Sequence, residues 1–248
     1  MSSASNRRRF LSHAILVVAA LLAGEGAAQP VGDQLAACKS EGVDRDQRIA
    51  ACGRVIGEAG SDEDLRIEAY LQRGVLYEMS GDKNAAIKDY SEIIRLDPSN
   101  SVAYFNRGNV YDQQGDHDRA IADYTEAIAR DPNDADAFNN RGQSYDSKGE
   151  TDLAIADYSR SILLERDNPR AFFNRALAYW NQGQTERAIA DLDEAIRLDP
   201  RDAEAYLSRG SLYEELGNAA AARADYQSAL KIVPDHPEAR EALARVGN

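Results

Sequence analysis

The sequence predicts an all-α protein built as a solenoid of stacked helical hairpins, and three observations lead there. Gly74, Gly108, Gly142, Ala176 and Gly210 recur every 34 residues, each within a similar block of aromatic, Arg, Gly and Tyr residues. A period of this length marks repeated helical units that bury one continuous core between neighbours. Within each unit the apolar positions lie seven or four residues apart, which puts them on one helical face. Gly and Asp-Pro then recur where helices must stop.

Taken in order, residues 1–28 read as an export signal. Arg7, Arg8 and Arg9 precede an apolar run from Phe10 to Leu22, and Gly26, Ala27 and Ala28 offer a peptidase site, so cleavage is expected after Ala28. The run falls short of the roughly 18 to 20 residues that span a bilayer, and no stable membrane anchor is expected after cleavage. The Arg triplet before Phe10 and Leu11 also resembles a twin-arginine signal, which leaves both export routes open. The expected location is the periplasm or exterior of a bacterium.

Residues 29–66 read as a degenerate N-terminal cap. Arg48 to Ile56 echoes the second-helix pattern of the later units, with Cys52 at an aromatic position, and Cys38 falls on the preceding helix. These are the only cysteines, and in an exported protein an even count suggests a disulfide, with two buried thiols as the alternative. Closing that loop would contribute roughly 3 kcal/mol in the chain-entropy view.

Residues 67–236 divide without gaps into five units: 67–100, 101–134, 135–168, 169–202 and 203–236. Position 4 carries Tyr70, Tyr104, Phe138, Phe172 and Tyr206, and position 11 carries Tyr77, Tyr111, Tyr145, Tyr179 and Tyr213, both on the first helix. On the second helix, position 20 is Ala in every unit and position 24 reads Tyr90, Tyr124, Tyr158, Leu192 and Tyr226. Gly81, Gly115, Gly149, Gly183 and Gly217 end the first helices. Asp-Pro at 97–98, 131–132 and 199–200 ends three of the second helices. Residues 237–248 form a closing helix, with Ala239, Ala242, Leu243 and Val246 inward and Arg240 and Arg245 outward.

With these positions assigned, residues 67–236 resemble tetratricopeptide repeats. They depart from that pattern at Arg166, where the family has Pro, and at Ala176, where it has Gly; Pro169 offers a substitute break. The resemblance implies a right-handed superhelix whose first helices line a concave groove, and it makes positions 2, 5, 6, 9, 12 and 13 the candidate ligand contacts.

Read at those positions, the chain offers a polar strip and three aromatics. Gln72, Asn106, Asn140 and Asn174 share position 6, with Asn109, Asn139 and Gln143 beside them. An amide presents a donor and an acceptor, which suits a peptide main chain; solubility is the competing explanation. All 12 tyrosines belong to core positions, so Phe105, Phe173 and Trp180 stand out, and Trp180 with Phe173 and Leu177 reads as an anchoring pocket or as contact with the next repeat. Glu68, Glu78, Asp112, Asp136, Asp146, Glu204, Glu214 and Glu215 give the groove a negative face, against Arg170 alone. The expected partner is a protein or peptide, as a neutral or basic extended segment. A solvated acidic surface is the plainer reading. The net charge of −13 argues against nucleic acid.

Arg73, Arg107, Arg141, Arg175 and Arg209 occupy position 7, and Asp89, Asp123, Asp157, Asp191 and Asp225 occupy position 23. Equal opposite charges at matched offsets favour structural pairs over an anion-binding ladder. No catalytic, cofactor or metal motif is expected: the two His outside the leader, His117 and His236, have no nucleophile pattern nearby. An interaction adaptor of the cell envelope is the leading expectation. A self-associating structural module and a periplasmic holdase are the alternatives.

Overall fold

The computed structural model describes residues 30–247; the expected export signal lies outside them. Thirteen helices and no strand occur among the described residues. An opening hairpin pairs α1 (Val31–Lys39) with α2 (Arg45–Glu58). Five hairpins follow: α3 (Glu63–Ser80) with α4 (Lys83–Leu96), α5 (Ser101–Gln113) with α6 (His117–Arg130), α7 (Ala135–Ser147) with α8 (Thr151–Leu164), α9 (Pro169–Asn181) with α10 (Thr185–Leu198), and α11 (Ala203–Glu215) with α12 (Ala219–Ile232). The lone helix α13 (Pro237–Val246) packs on α12. Each helix touches its sequence neighbours, as expected for a stack with local contacts only. No helix among the described residues is long and apolar enough to cross a membrane.

Local sequence caps most of the helix starts. Asp82, Asn100, Asp116, Asp134, Asn168, Asp202 and Asn218 accept backbone N–H bonds as N-caps. At the end of α5, Gly115 takes φ 77°, and the N–H groups of Gly115 and Asp116 reach back to the carbonyls of Asp112 and Tyr111. That is the Schellman closure, in a conformation only Gly adopts cheaply. Two details differ from the sequence reading. α3 begins at Glu63, four residues before the repeat boundary, because Asp62 caps it there. Pro169 opens α9 in its first turn, where a missing N–H costs nothing.

Inside each hairpin the close approach of the helices is visible atom by atom. A Cβ placed on Gly74, Gly108, Gly142 or Gly210 would lie 2.6–2.9 Å from the ring of the position-24 Tyr in its own repeat. In the fourth repeat Ala176 replaces the Gly and Leu192 replaces the Tyr, both fully buried. The two departures from the pattern compensate: a methyl group on one helix is admitted because the facing ring is gone.

The Arg–Asp ladder is structural. In all five repeats the guanidinium grips the Asp carboxylate through two N–H bonds of 2.7–2.9 Å, with the Asp side chain buried. Four of the arginines also reach the second helix of the preceding repeat, at Ser91, Thr125, Ser159 and Asp193. Each guanidinium lies 5.6–6.0 Å from the ring centres at positions 4 and 11. These arginines join three helices and leave no free positive ladder.

Candidate functional site

The first helices of successive repeats stand side by side, and the predicted groove residues meet across them. Asn174 donates its amide N–H to Asn139 Oδ1 (3.0 Å), Asn139 donates to Asn140 Oδ1 (3.3 Å), and Asn140 donates to Asn109 Oδ1 (2.9 Å). The Tyr124 hydroxyl donates to the same Asn109 oxygen at 2.7 Å. One amide network thus spans α5, α7 and α9. Asn139 is fully buried and reaches the face only through its two partners. Asn106, Gln72 and Gln143 are partly exposed and make no side-chain hydrogen bond among the described residues. An amide uses at most two donors and two acceptors, so the network keeps unspent N–H and C=O capacity on the exposed side.

The aromatics are more deeply engaged than their sequence positions suggest. Phe105 packs on Tyr124, with ring centres 5.9 Å apart. Phe173 and Trp180 rest against the core cluster that includes Ala176, Leu192, Ala205 and Leu212. The Trp180 indole N–H lies 3.1 Å from both Glu215 carboxylate oxygens. Leu177 is half-buried beside them.

All eight acidic groove residues meet a polar group of the chain itself. Lys39 pairs with Glu68, Arg170 with Asp136, and the His236 ring with Glu204. Glu215 takes the Trp180 N–H. Glu214 receives Arg245 from α13 in two bonds, Nε to Oε1 at 2.6 Å and Nη2 to Oε2 at 3.0 Å, together with the Tyr226 hydroxyl at 2.7 Å. The other three share position 12 in the first three repeats. Glu78 accepts the Tyr90 hydroxyl, Asp112 accepts the Ser144 hydroxyl at 2.6 Å and faces His117 Nδ1 at 2.9 Å, and Asp146 lies 3.5 Å from the Thr151 hydroxyl. None of the three pairs with Lys or Arg among the described residues. Burial pushes the Glu78 and Asp146 carboxyls above the usual carboxylate range, partly offset by the Tyr90 and Thr151 hydroxyls. Arg245 and Tyr226 instead hold Glu214 below that range.

An apolar stripe escaped the sequence reading. Leu71, Val75 and Met79 follow one another at four-residue intervals on α3, with Val75 39% and Met79 70% exposed. The signal was available: positions 9 and 13 are apolar together only in this repeat. At the N-terminal end, Cys38 and Cys52 form the expected disulfide, fully buried with Cα atoms 4.9 Å apart.

Comparison with known proteins agrees with this architecture. Tetratricopeptide repeat models match residues 67–100, 101–134, 123–156 and 173–237, and a further TPR repeat model matches 142–183. No curated protein matches the sequence. Among solved structures, MamA is 26% identical, with TM-score 0.61 over 69% of this chain and 96% of its own. YrrB, described as a TPR protein with an unusual peptide-binding site, is 24% identical, with TM-score 0.63 over 77% and 97%. PilF from Pseudomonas aeruginosa is 20% identical, with TM-score 0.63 over 75% and 91%. The 34-residue period, the paired helices and these matches agree: the chain belongs to the tetratricopeptide repeat family.

Proposed function

We propose that this protein is an exported, non-catalytic adaptor that holds an extended segment of another cell-envelope protein against the face of its first helices. The observation that carries this reading is the amide network from Asn109 to Asn174, which crosses three repeats with hydrogen-bonding capacity to spare. Such a row can pair with a peptide main chain whatever its side chains, while its own cross-links keep the amides pre-oriented. The disulfide supports an oxidising compartment. End-to-end self-association is less favoured, because the closing helix α13 leaves Arg240 and Glu241 exposed.

Asn106 is the residue on which to test this, since it lies on the face outside the network. Asn106→Trp fills the face without changing charge. In envelope extract, cross-linking should capture a partner segment on α5, α7 and α9 of the unaltered protein and lose it in the folded variant. Equal capture by both would refute the groove reading.

A further inference from the structure

Position 12 shows within one molecule what the groove accepts. In the fifth repeat Glu214 carries the Tyr226 hydroxyl on one side and a two-pronged guanidinium, Arg245, on the other. In the first repeat Glu78 carries the equivalent Tyr90 hydroxyl, and no Arg or Lys of the described chain pairs with it. Asp112 and Asp146 continue the row at 34-residue intervals. Two lysines close to this stretch in sequence are committed elsewhere: Lys83 bonds the Gln113 carbonyl, and Lys148 pairs with Asp118 and Glu150. Among the described residues, His117 is the base paired with the row, on Asp112. Beside Glu78 lies the exposed stripe of Val75 and Met79.

Resting on the groove reading above, we propose that the first three repeats bind a partner segment bearing arginines, whose guanidinium groups pair with Glu78, Asp112 and Asp146 and whose apolar side chain covers Val75 and Met79. Charge complementarity names the occupant, and the Arg245–Glu214 pair shows that position 12 admits a guanidinium in bidentate geometry. Arg suits this row better than Lys because its planar fork satisfies both carboxylate oxygens at once. Half-buried carboxylates without a cation are costly to keep ionised, so pairing them returns that cost to binding. Neighbouring helices pack roughly 8–10 Å apart, and a polyproline II segment advances about 3.1 Å per residue and returns to the same face every third residue, so arginines about three residues apart would follow the row.

A random 12-residue peptide library displayed on phage tests this directly, selected on the purified protein, on Asn106→Trp, and on the double variant Glu78→Gln, Asp146→Asn. The two substitutions keep size and remove charge. Peptides selected by the unaltered protein should be enriched in Arg, bind about tenfold or more weakly when Arg is replaced by citrulline, and lose that preference on the double variant. Peptides that need the groove, being lost on Asn106→Trp, but show no Arg enrichment would overturn this inference and leave the groove reading standing; so would an Arg preference that survives in the double variant. A selection that yields no peptide, or only peptides indifferent to Asn106→Trp, would overturn both.

Discussion

At residue scale the coupling of Gly to Tyr is the most constraining feature of the repeat. Gly142 Cα faces Tyr158 so closely that an added methyl would lie 2.7 Å from the ring. Gly142→Ala should therefore cost about 1–3 kcal/mol through overpacking. The fourth repeat shows the cure, since Ala176 sits comfortably against Leu192. Adding Tyr158→Leu to Gly142→Ala should recover much of the loss, giving a coupling of about 0.5–3 kcal/mol in a double-mutant cycle followed by thermal unfolding. Strict additivity would show that the two departures in the fourth repeat are unrelated.

At the scale of elements, the two ends are closed by different means. Among the described residues the α1–α2 hairpin has neighbours on one side only, and the Cys38–Cys52 bridge ties its helices where a core of that size is thin. Gln34 adds a bond to Glu58, and Arg54 reaches back to Gln34. At the other end, α13 covers Tyr226 and Ala222 with Ala242 and is pinned by Arg245 on Glu214. Cys38→Ser with Cys52→Ser should cost roughly 3 kcal/mol, confined to the cap. Hydrogen exchange should quicken in α1 and α2 and stay unchanged in α7 to α10, because contacts in a stack pass only between neighbours. Uniform quickening along the chain would contradict that locality.

At the scale of the whole molecule, charge is the variable that matters. The chain carries −13, and the central acids of the groove add to its own repulsion. The carboxyl pKa values of Glu78 and Asp146 are raised in the folded state, so their contribution to stability is full below the usual carboxylate range and is lost as pH rises through the raised values. The variant Glu78→Gln, Asp146→Asn should melt at a higher temperature than the unaltered protein at pH 7. Its advantage should shrink as the pH falls into the carboxylate range. A lower melting temperature at pH 7 would mean that these charges already have a compensating partner in the folded chain.

The repeated part of this protein can be read from its periodicity alone. A 34-residue recurrence of Gly, Tyr, Ala, Arg and Asp specifies hairpins, their caps and their core, because each unit repeats the same local contacts and so reports them several times over. The Arg–Asp pairs were legible for the same reason, and the disulfide from two cysteines in an expected exported chain. What the sequence left open was how side chains are spent across repeats. That Asn139 is buried inside an amide network, that Trp180 leans on the next repeat, and that Arg245 folds onto Glu214 all depend on the packing of one unit against another. These contacts join residues 31 to 35 positions apart with no fixed pairing rule. Which acids go without a basic partner is settled by the stacking of the repeats, because a carboxylate's partner is whatever the stacked neighbour brings within about 3 Å, and periodicity carries no such distances.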